Sequence, residues 1–288
     1  MIEPINLPAG LYVVATPLGH ARDMTLRALD VLAAADAILC EDTRTTGKLT
    51  ARYGITTKRV AYHEHNAEAM RPKILARLQQ GAALALVSDA GTPLISDPGL
   101  PLVRAVRTAG YPICAVPGPS APIAALSIAG LPTDRFSFVG FLPSKDQARR
   151  RALADLAASP GTLVCFESAK RLVDLLRAID ATLGAREVCV ARELTKKFEE
   201  IITGSADALA AQFAAAPPKG ELVVLIGPGV QKPTDGAELD AMLRDAMLTM
   251  SRRDAVQTVA ETSGVAKKQV YARALKLKQE ETPSQGEP

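Results

Sequence analysis

The stretch "VSDAGTPLISDPG", Val87 to Gly99, decides how this chain is read. Just upstream, from Ala83, "ALALVS" supplies the continuous apolar run of a buried strand. Just downstream, "LPLVRAVRTAG" has the spacing of an amphipathic helix. Between them stand Asp89, Gly91, Thr92, Pro93, Asp97, Pro98 and Gly99, which suit neither periodicity. Strand, loop and helix in that order form the repeating unit of an α/β sheet. Two acids, two glycines and two prolines are more than a simple connection needs.

The same unit recurs on either side. "LYVVAT" leads into "TLRALDVLAAA", "AILCED" into "TTGKLTARYG", and "YPICAVPGP" closes the series at Pro117. This alternation predicts an α/β architecture with mostly parallel pairing. A second series starts near Asp134. It runs through "RFSFVGF", the basic helix "DQARRRALADLAAS", "GTLVCFES" and the helix "AKRLVDLLRAIDATLG", which stops at Gly184 as at a C-cap. "REVCVAREL", "FEEIITGS" and "GELVVLIGP" complete it. "PGVQKPTDGAE" is polar and Pro/Gly-rich, the composition of a linker. "ELDAMLRDAMLTM", "SRRDAVQTVAETSG" and "VAKKQVYARALKL" all read helical. The expected division is an α/β domain over residues 1–119, a second over 120–230, a linker over 231–240 and a basic helical segment over 241–288.

Composition narrows the function. Of 288 residues, 48% are hydrophobic and 23% charged, as in an ordinary folded protein. Aromatics are only 4% and Trp is absent, which argues against recognition of nucleic acid on stacked aromatic platforms. "MIEPINLPAG" has neither the basic nor the apolar region of a signal peptide. No apolar run reaches the roughly 18 residues of a membrane helix. A soluble cytoplasmic protein is expected. Cys40, Cys114, Cys165 and Cys189 lie far apart in strand-like runs, so reduced structural thiols are expected and no metal site. Charge is uneven. Arg252 to Lys278 holds seven Lys/Arg and two Asp/Glu, a net of +5, whereas the rest holds 27 and 29, a net of −2. A basic terminal segment suits a polyanionic partner or a solvated helical tail.

In open parallel sheets ligands bind beyond the carboxyl ends of the strands. "ATPLGHARDMT", the opening loop, "PGPSAP", "FESAKR", "ARELTK" and "PPKGEL" are therefore the segments that matter. "ATPLGHARD" has a single glycine and is no dinucleotide fingerprint, and no P-loop occurs. Dehydrogenase and P-loop chemistry are disfavoured. A loop of glycines and acids still admits a nucleoside ligand, because small residues allow close approach and carboxylates accept from ribose hydroxyls.

"LYVVATPLG", "CEDTRTTGKL", "HEHN", "LVSDAGTPLISDPG", "VPGPSA", "GFLP", "FES", "ARELTK" and "KGEL" occur in order, from about Leu11 to Ile226. This series resembles the tetrapyrrole methylase superfamily, the class III S-adenosylmethionine (SAM) methyltransferases, and within it the bacterial branch acting on small-subunit ribosomal RNA. The resemblance implies two α/β domains with SAM in the cleft between them, 2′-O-methylation of a cytidine in the decoding region, and a homodimer. It places Ser88, Asp89, Ala90 and Gly91 close to the cofactor, with Leu94 and Ile95 on its apolar side. Ser120 and Ala121 match positions facing its methionine end. Phe166, Arg192, Glu193, Leu194, Gly220 and Glu221 match the wall from the second domain. Gly19 matches the glycine that leaves space for the acceptor.

A ribose hydroxyl must lose its proton, to a base or beside a cation that stabilises the alkoxide. Glu167, Glu193, Asp23 and Lys196 are the candidates in these loops, and the sequence does not choose among them. His63 and His65, two apart and so on one face if in a strand, lack a third metal ligand and suit the acceptor cleft better. Lys145, Arg149, Arg150 and Arg151 in "KDQARRR" form either a solvated face or part of an RNA track. In the tail, a helix, a turn at Gly264 and a second helix have helix-turn-helix spacing. Ala255, Val259, Val265, Val270 and Leu275 would form its core and leave Lys267, Lys268 and Arg273 outward for RNA; a structural cap is the bland alternative. The rival functions are a class III methylase of a tetrapyrrole or other small molecule, against which the basic tail counts, and a non-catalytic RNA-binding or ribosome-assembly protein, against which the cofactor-type loops count.

Overall fold

Residues 5–229 and 236–280 are described by a computed structural model. The chain forms two compact units, Met1–Gly229 and Val230–Pro288. Within the first, β1 (Gly10–Val14), β2 (Ala37–Cys40), β3 (Arg59–Ala61), β4 (Ala83–Leu86) and β5 (Ile113–Val116) pair in the order β3-β2-β4-β1-β5, every pair parallel. β2 and β4 are buried throughout, which is why they read as unbroken apolar runs rather than alternating ones. The crossovers are α1 (Leu26–Ala34), α2 (Thr43–Arg52), α3 (Ala67–Gln79) and α4 (Leu100–Thr108). Two of these starts are capped from the sequence: the Thr25 hydroxyl accepts from Ala28 N and the Asp42 carboxylate from Arg44 N. Strand order reverses at β4 and β1, so the crevice of this sheet opens where the loops after those strands meet.

The second lobe begins with α5 (Ala121–Ile128). Its sheet contains β6 (Phe136–Phe141), β7 (Thr162–Ser168), β8 (Glu187–Arg192), β9 (Glu200–Ser205) and β10 (Glu221–Ile226), in the order β6-β7-β10-β8-β9. Here only β6 and β7 run parallel; the other three pairs are antiparallel. The link between Arg192 and Glu200 is too short for a parallel crossover, so β8 and β9 return on each other. Ala125 and Leu126 of α5 pack on one face, against Val164, Val223 and Leu225. α6 (Asp146–Asp155), α7 (Leu172–Leu183) and α8 (Ala206–Ala215) cover the other, which buries Leu153, Leu176, Ile179 and Phe213. Arg149 of α6 is 3% exposed, so it belongs to neither a solvated face nor an RNA track; Lys145, Arg150 and Arg151 are exposed.

Among its described residues the second unit forms three helices, α9 (Gly236–Thr249), α10 (Arg252–Ser263) and α11 (Lys267–Glu280). Of the segment read as a linker, 231–235 lies outside the described residues and 236–240 opens α9. Residues 1–4 and 281–288, assigned by the sequence to the first domain and the basic tail, also lie outside them. Ser251 caps α10 and Gly264 ends it in left-handed geometry, φ 68°. Leu243, Val256, Val259, Val270, Ala274 and Leu277 form its core, with Val265 half-buried against it. Leu275 is exposed instead. Val270, Ala274 and Leu277 follow the i, i+4, i+7 stripe of one helix face, and Leu275 falls off it.

Candidate functional site

The loops after β1 and β4 are tied to each other. Thr16 N donates to Gly91 O at 2.9 Å, Gly91 N returns to Thr16 O at 3.0 Å, and the Thr16 hydroxyl reaches Ser88 O. Gly91 has φ 76°, and a Cβ there would stand 3.1 Å from Leu18 Cδ2. The stretch that follows is held in unusual geometry: Leu94 has φ 71°, Ser96 φ 66° and Gly99 φ 134°. Across from it, β6 carries a bulge between Phe138 and Gly140, and a Cβ on Gly140 would stand 3.1 Å from Ser96 Oγ. The bulge and the bare glycine make the seat for this loop.

Between the lobes lies a cleft of about 350 Å³, within the range of small-molecule sites. One wall is the loop from Ala90 to Asp97, with Leu18; the floor includes Ser120 and Ala121 at the start of α5. The opposite wall carries Phe141, Phe166, Glu167, Leu194, Gly220 and Glu221. Phe166 stacks at an angle between Phe138 and Phe141, 5.0 and 5.5 Å between ring centroids.

A polar lattice frames the second-lobe wall. Lys196 Nζ donates to Glu193 Oε1 and to Glu221 Oε2, each at 2.9 Å, and Glu221 N donates to Glu193 Oε1 at 3.1 Å. The Lys196 hydrogen bond, followed by that from Glu221 N, holds the Glu193 carboxyl below its usual range. For Lys196, burial alone would lower the pKa, but the two carboxylates more than offset it and hold the amine above its usual value. It is therefore a cation at neutral pH and not a proton acceptor. Its stem crosses Gly19, where a Cβ would fall 2.3 Å from Lys196 Cγ. Nearby, His20 N donates to Thr195 Oγ1 at 3.1 Å. Gly220, φ 95°, leaves room for Glu193.

Of the residues singled out from the sequence, Ala90, Gly91, Ile95, Ser120, Ala121, Phe166, Leu194, Gly220 and Glu221 line the cleft, as does Glu167. The others do different things. Ser88 turns inward and donates to Ala90 O at 3.1 Å. Asp89 accepts from Asp42 N at the end of β2. Leu94 packs into the first-lobe core rather than on the cleft. Arg192 pairs with Glu200 at 2.8 Å and borders a separate groove by α8. Glu167, its side chain fully buried, is spoken for: Arg171 approaches to 3.1 Å and Ser168 N donates at 2.8 Å. Asp23 lies in a short 3-10 turn over Ala21–Asp23, outside the cleft lining.

β3 stops at Ala61, so His63 and His65 are in a turn and not on a strand face. Asn66 makes that turn, its Oδ1 accepting from His63 N and its Nδ2 donating to Ala61 O. The two imidazoles sit edge to face, 5.9 Å apart. No three His, Cys, Asp or Glu among the described residues converge as metal ligands. Burial pushes the Cys165 thiol up to about 12 and Cys189 up to about 11, so neither is a nucleophile. In the helical unit, Lys267 and Lys268 are exposed, but Arg273 is turned back onto Asp240, its Nη2 donating at 2.8 Å.

Sequence reasoning passed over Leu18, Ser96, Asp97, Phe141 and Ser168 as site residues. Asp97 and Phe141 stood in segments already marked, "SDPG" and "GFLP"; what was missing was the direction of their side chains. Burial, with the charges of Glu41 and Asp89 added, pushes the Asp97 carboxyl up to about 6.

Comparison with known proteins agrees with this geometry. Residues 10–210 match the family model described as Tetrapyrrole (Corrin/Porphyrin) Methylases, and 233–278 match the RsmI C-terminal HTH domain. Ribosomal RNA small subunit methyltransferase I of Mesorhizobium japonicum is 48% identical over 96% of this chain and 97% of its own. The protein of that name from Escherichia coli O157:H7 is 45% identical, covering 94% and 96%. Among solved structures, uroporphyrin-III C-methyltransferase from Thermus thermophilus, complexed with S-adenosylhomocysteine, superposes with a TM-score of 0.53 at 20% identity, covering 75% of this chain and 96% of that one. That last likeness concerns the fold alone.

Proposed function

Because this chain belongs to the tetrapyrrole methylases, and within them to the ribosomal RNA small subunit methyltransferase I family, we propose that it methylates the ribose 2′-oxygen of a cytidine in the decoding region of small-subunit rRNA. SAM, when bound in the cleft, supplies a methyl group already activated by its sulfonium charge. The residues present fit such a ligand. Ile95, Phe166 and Leu194 offer an apolar face to an adenine, and Gly91 and Gly220 let it approach the backbone. Glu221 can accept from ribose hydroxyls, and nearby carboxylates favour a sulfonium. The chain's own task is to hold methyl carbon, sulfur and acceptor oxygen in line and to receive a proton.

One observation carries the reading: an inter-lobe cleft floored by Ser120 and Ala121 occurs in the same chain as a helix-turn-helix unit with exposed Lys267 and Lys268. A small tetrapyrrole substrate needs no such appendage. The enzyme acts as a cytoplasmic homodimer on the free rRNA or the assembled small subunit. No helix among the described residues is long and apolar enough to cross a membrane. The test is transfer of labelled methyl from SAM to free rRNA and to isolated small subunits, followed by mapping. A 2′-O-methyl group removes the nucleophile of alkaline cleavage, so one cytidine should resist hydrolysis. A label found on a base, or on tetrapyrroles but not rRNA, overturns the assignment.

A further inference from the structure

We propose that Asp97 is the catalytic proton acceptor of this site, taking the proton from the acceptor hydroxyl as the methyl group arrives. The inference rests on the reading of the cleft as the methyl-transfer site. Among the described residues, the carboxylates that line the cleft are Asp97, Glu167 and Glu221. Glu167 is occupied by Arg171 and Ser168 N, and Glu221 by Lys196. Asp97 faces the same cavity, and among the described residues no cation acts on it. The Ser88 hydroxyl, which also reaches the Ala90 and Gly91 carbonyls, is the polar neighbour that favours its charged form.

The backbone fixes where Asp97 stands. Ser96 before it is left-handed and seated on Gly140 of the other lobe, and Pro98 and the left-handed Gly99 follow. A residue bracketed this way cannot drift out of the cleft without unseating the loop. Its surroundings also keep its affinity for protons high. Glu41 comes from the end of β2 and Asp89 from the loop after β4, and both oppose its charge. Behind them lie Asp42, and Glu64 and His63 from the turn after β3, all acting on Glu41. Across the cleft stand Glu167 with Arg171 and Glu221 with Lys196. With a carboxyl pushed up to about 6, Asp97 is ionised at neutral pH yet basic for a carboxylate, the compromise that general-base catalysis favours.

The step balances simply. The hydroxyl oxygen bonds to the methyl carbon while the carbon–sulfur bond breaks, its electron pair staying on sulfur, which becomes a neutral thioether. The hydroxyl proton passes to an Asp97 carboxylate oxygen and then to solvent. Lys196, already protonated, cannot take that proton.

The experiment is single-turnover methylation of isolated small subunits from pH 5 to 8.5, with S-adenosylhomocysteine affinity measured by calorimetry. Wild-type rates should rise about tenfold per pH unit below about 6 and level off above it. Asp97→Asn should lose about 10²–10⁴-fold in rate, lose that inflection, and bind S-adenosylhomocysteine within about threefold of wild type. Glu41→Gln removes an opposing charge, so it should move the inflection to lower pH and keep the plateau. This second variant decides the matter if Asp97→Asn does not fold. An Asp97→Asn protein that methylates within about threefold of wild type, or slows while retaining the inflection, overturns the proposal, as does an unmoved inflection in Glu41→Gln. Wild-type protein inactive on rRNA overturns the reading of the site and the proposal with it; the other failures overturn the proposal alone.

Discussion

Replacing Gly19 with alanine tests how the two lobes are coupled. The backbone at Gly19 is outside the left-handed region, so alanine meets no conformational penalty there. The added Cβ, however, would stand 2.3 Å from Lys196 Cγ and 3.2 Å from Cδ and Cε. Three successive carbons of one side chain cannot all yield by small adjustments, so Lys196 must leave its path. It then loses both ammonium–carboxylate contacts, each 2.9 Å long. The Glu221 partner is 79% exposed and that pair contributes little, about 0–0.5 kcal/mol; Glu193 is 19% exposed and its pair is worth about 1–1.5 kcal/mol. The alanine itself returns about 0.4–1 kcal/mol through the unfolded chain. The net loss of stability is then about 0–1.6 kcal/mol, a fall of at most about 6 °C in Tm for a unit of this size.

The effect on the cleft is larger than the effect on stability, because Glu193 and Glu221 lose the cation that holds them. SAM affinity should fall about five- to twentyfold, equivalent to about 1–2 kcal/mol. Calorimetry on Gly19→Ala, Lys196→Ala and the double variant checks the cause. If the clash with Lys196 is responsible, Gly19→Ala adds almost nothing once Lys196 is gone, and the cycle shows a coupling of about 1 kcal/mol. The sequence suggests another reading, that Gly19 leaves space for the acceptor. That reading predicts intact SAM affinity, a raised KM for RNA, and the same loss in the Lys196→Ala background. Additive effects would refute the lobe coupling argued from the geometry.

Three further outcomes follow from other parts of the molecule. Gly91→Val should abolish SAM binding, since the position has φ 76° and its Cβ would already press Leu18 at 3.1 Å; unchanged calorimetric affinity would remove the loop from the site. Arg171→Met strands the buried Glu167 carboxylate and should lower unfolding free energy by about 3 kcal/mol, the low end for a broken buried pair because Arg171 remains 30% exposed; the urea midpoint reports it. Reversing Lys267 and Lys268 to Glu should flatten the slope of log affinity against log salt by about 1.5 for rRNA, whereas Arg273→Ala should destabilise the helical unit by releasing Asp240; an unchanged slope in a folded double reversal means these lysines do not meet phosphate.

The first lobe was largely legible because parallel strands buried on both faces announce themselves as apolar runs and their carboxyl ends as breaks. Nothing comparable marks pairing direction. β8 and β10 have the same apolar texture as β2 and β4, yet they pair antiparallel, and only the short link from Arg192 to Glu200 hints at it. Single polar residues were harder still. Arg149 shares a run with Arg150 and Arg151 but lies under the helix, close to Asp146 at 3.4 Å. Leu275 and Leu277 differ by two positions along α11, and helical phase alone sends one to solvent and the other to the core.

What the sequence hides most completely is backbone strain, and here it coincides with the cleft. Among the described residues, the non-glycine positions with left-handed φ are Leu94, Ser96, Glu193 and Thr195, two in the loop from each lobe that meets the other. None is the Asn or Asp that tolerates this geometry best. Each costs on the order of 1–3 kcal/mol and persists only because its neighbours over-determine it. Gly140 receives Ser96, the first-lobe core receives Leu94, Lys196 and Glu221 N hold Glu193, and Thr195 N donates to Glu199 at 2.5 Å while its hydroxyl accepts from His20 N. Two of these restraints come from the opposite lobe, Gly140 on Ser96 and His20 N on Thr195. Each strained loop is thus tied at one point to the other lobe. Ser96, which lines the cleft, and Thr195, next to the cleft residue Leu194, are therefore each held in part from across the cleft, where the loop's own sequence gives no sign of it.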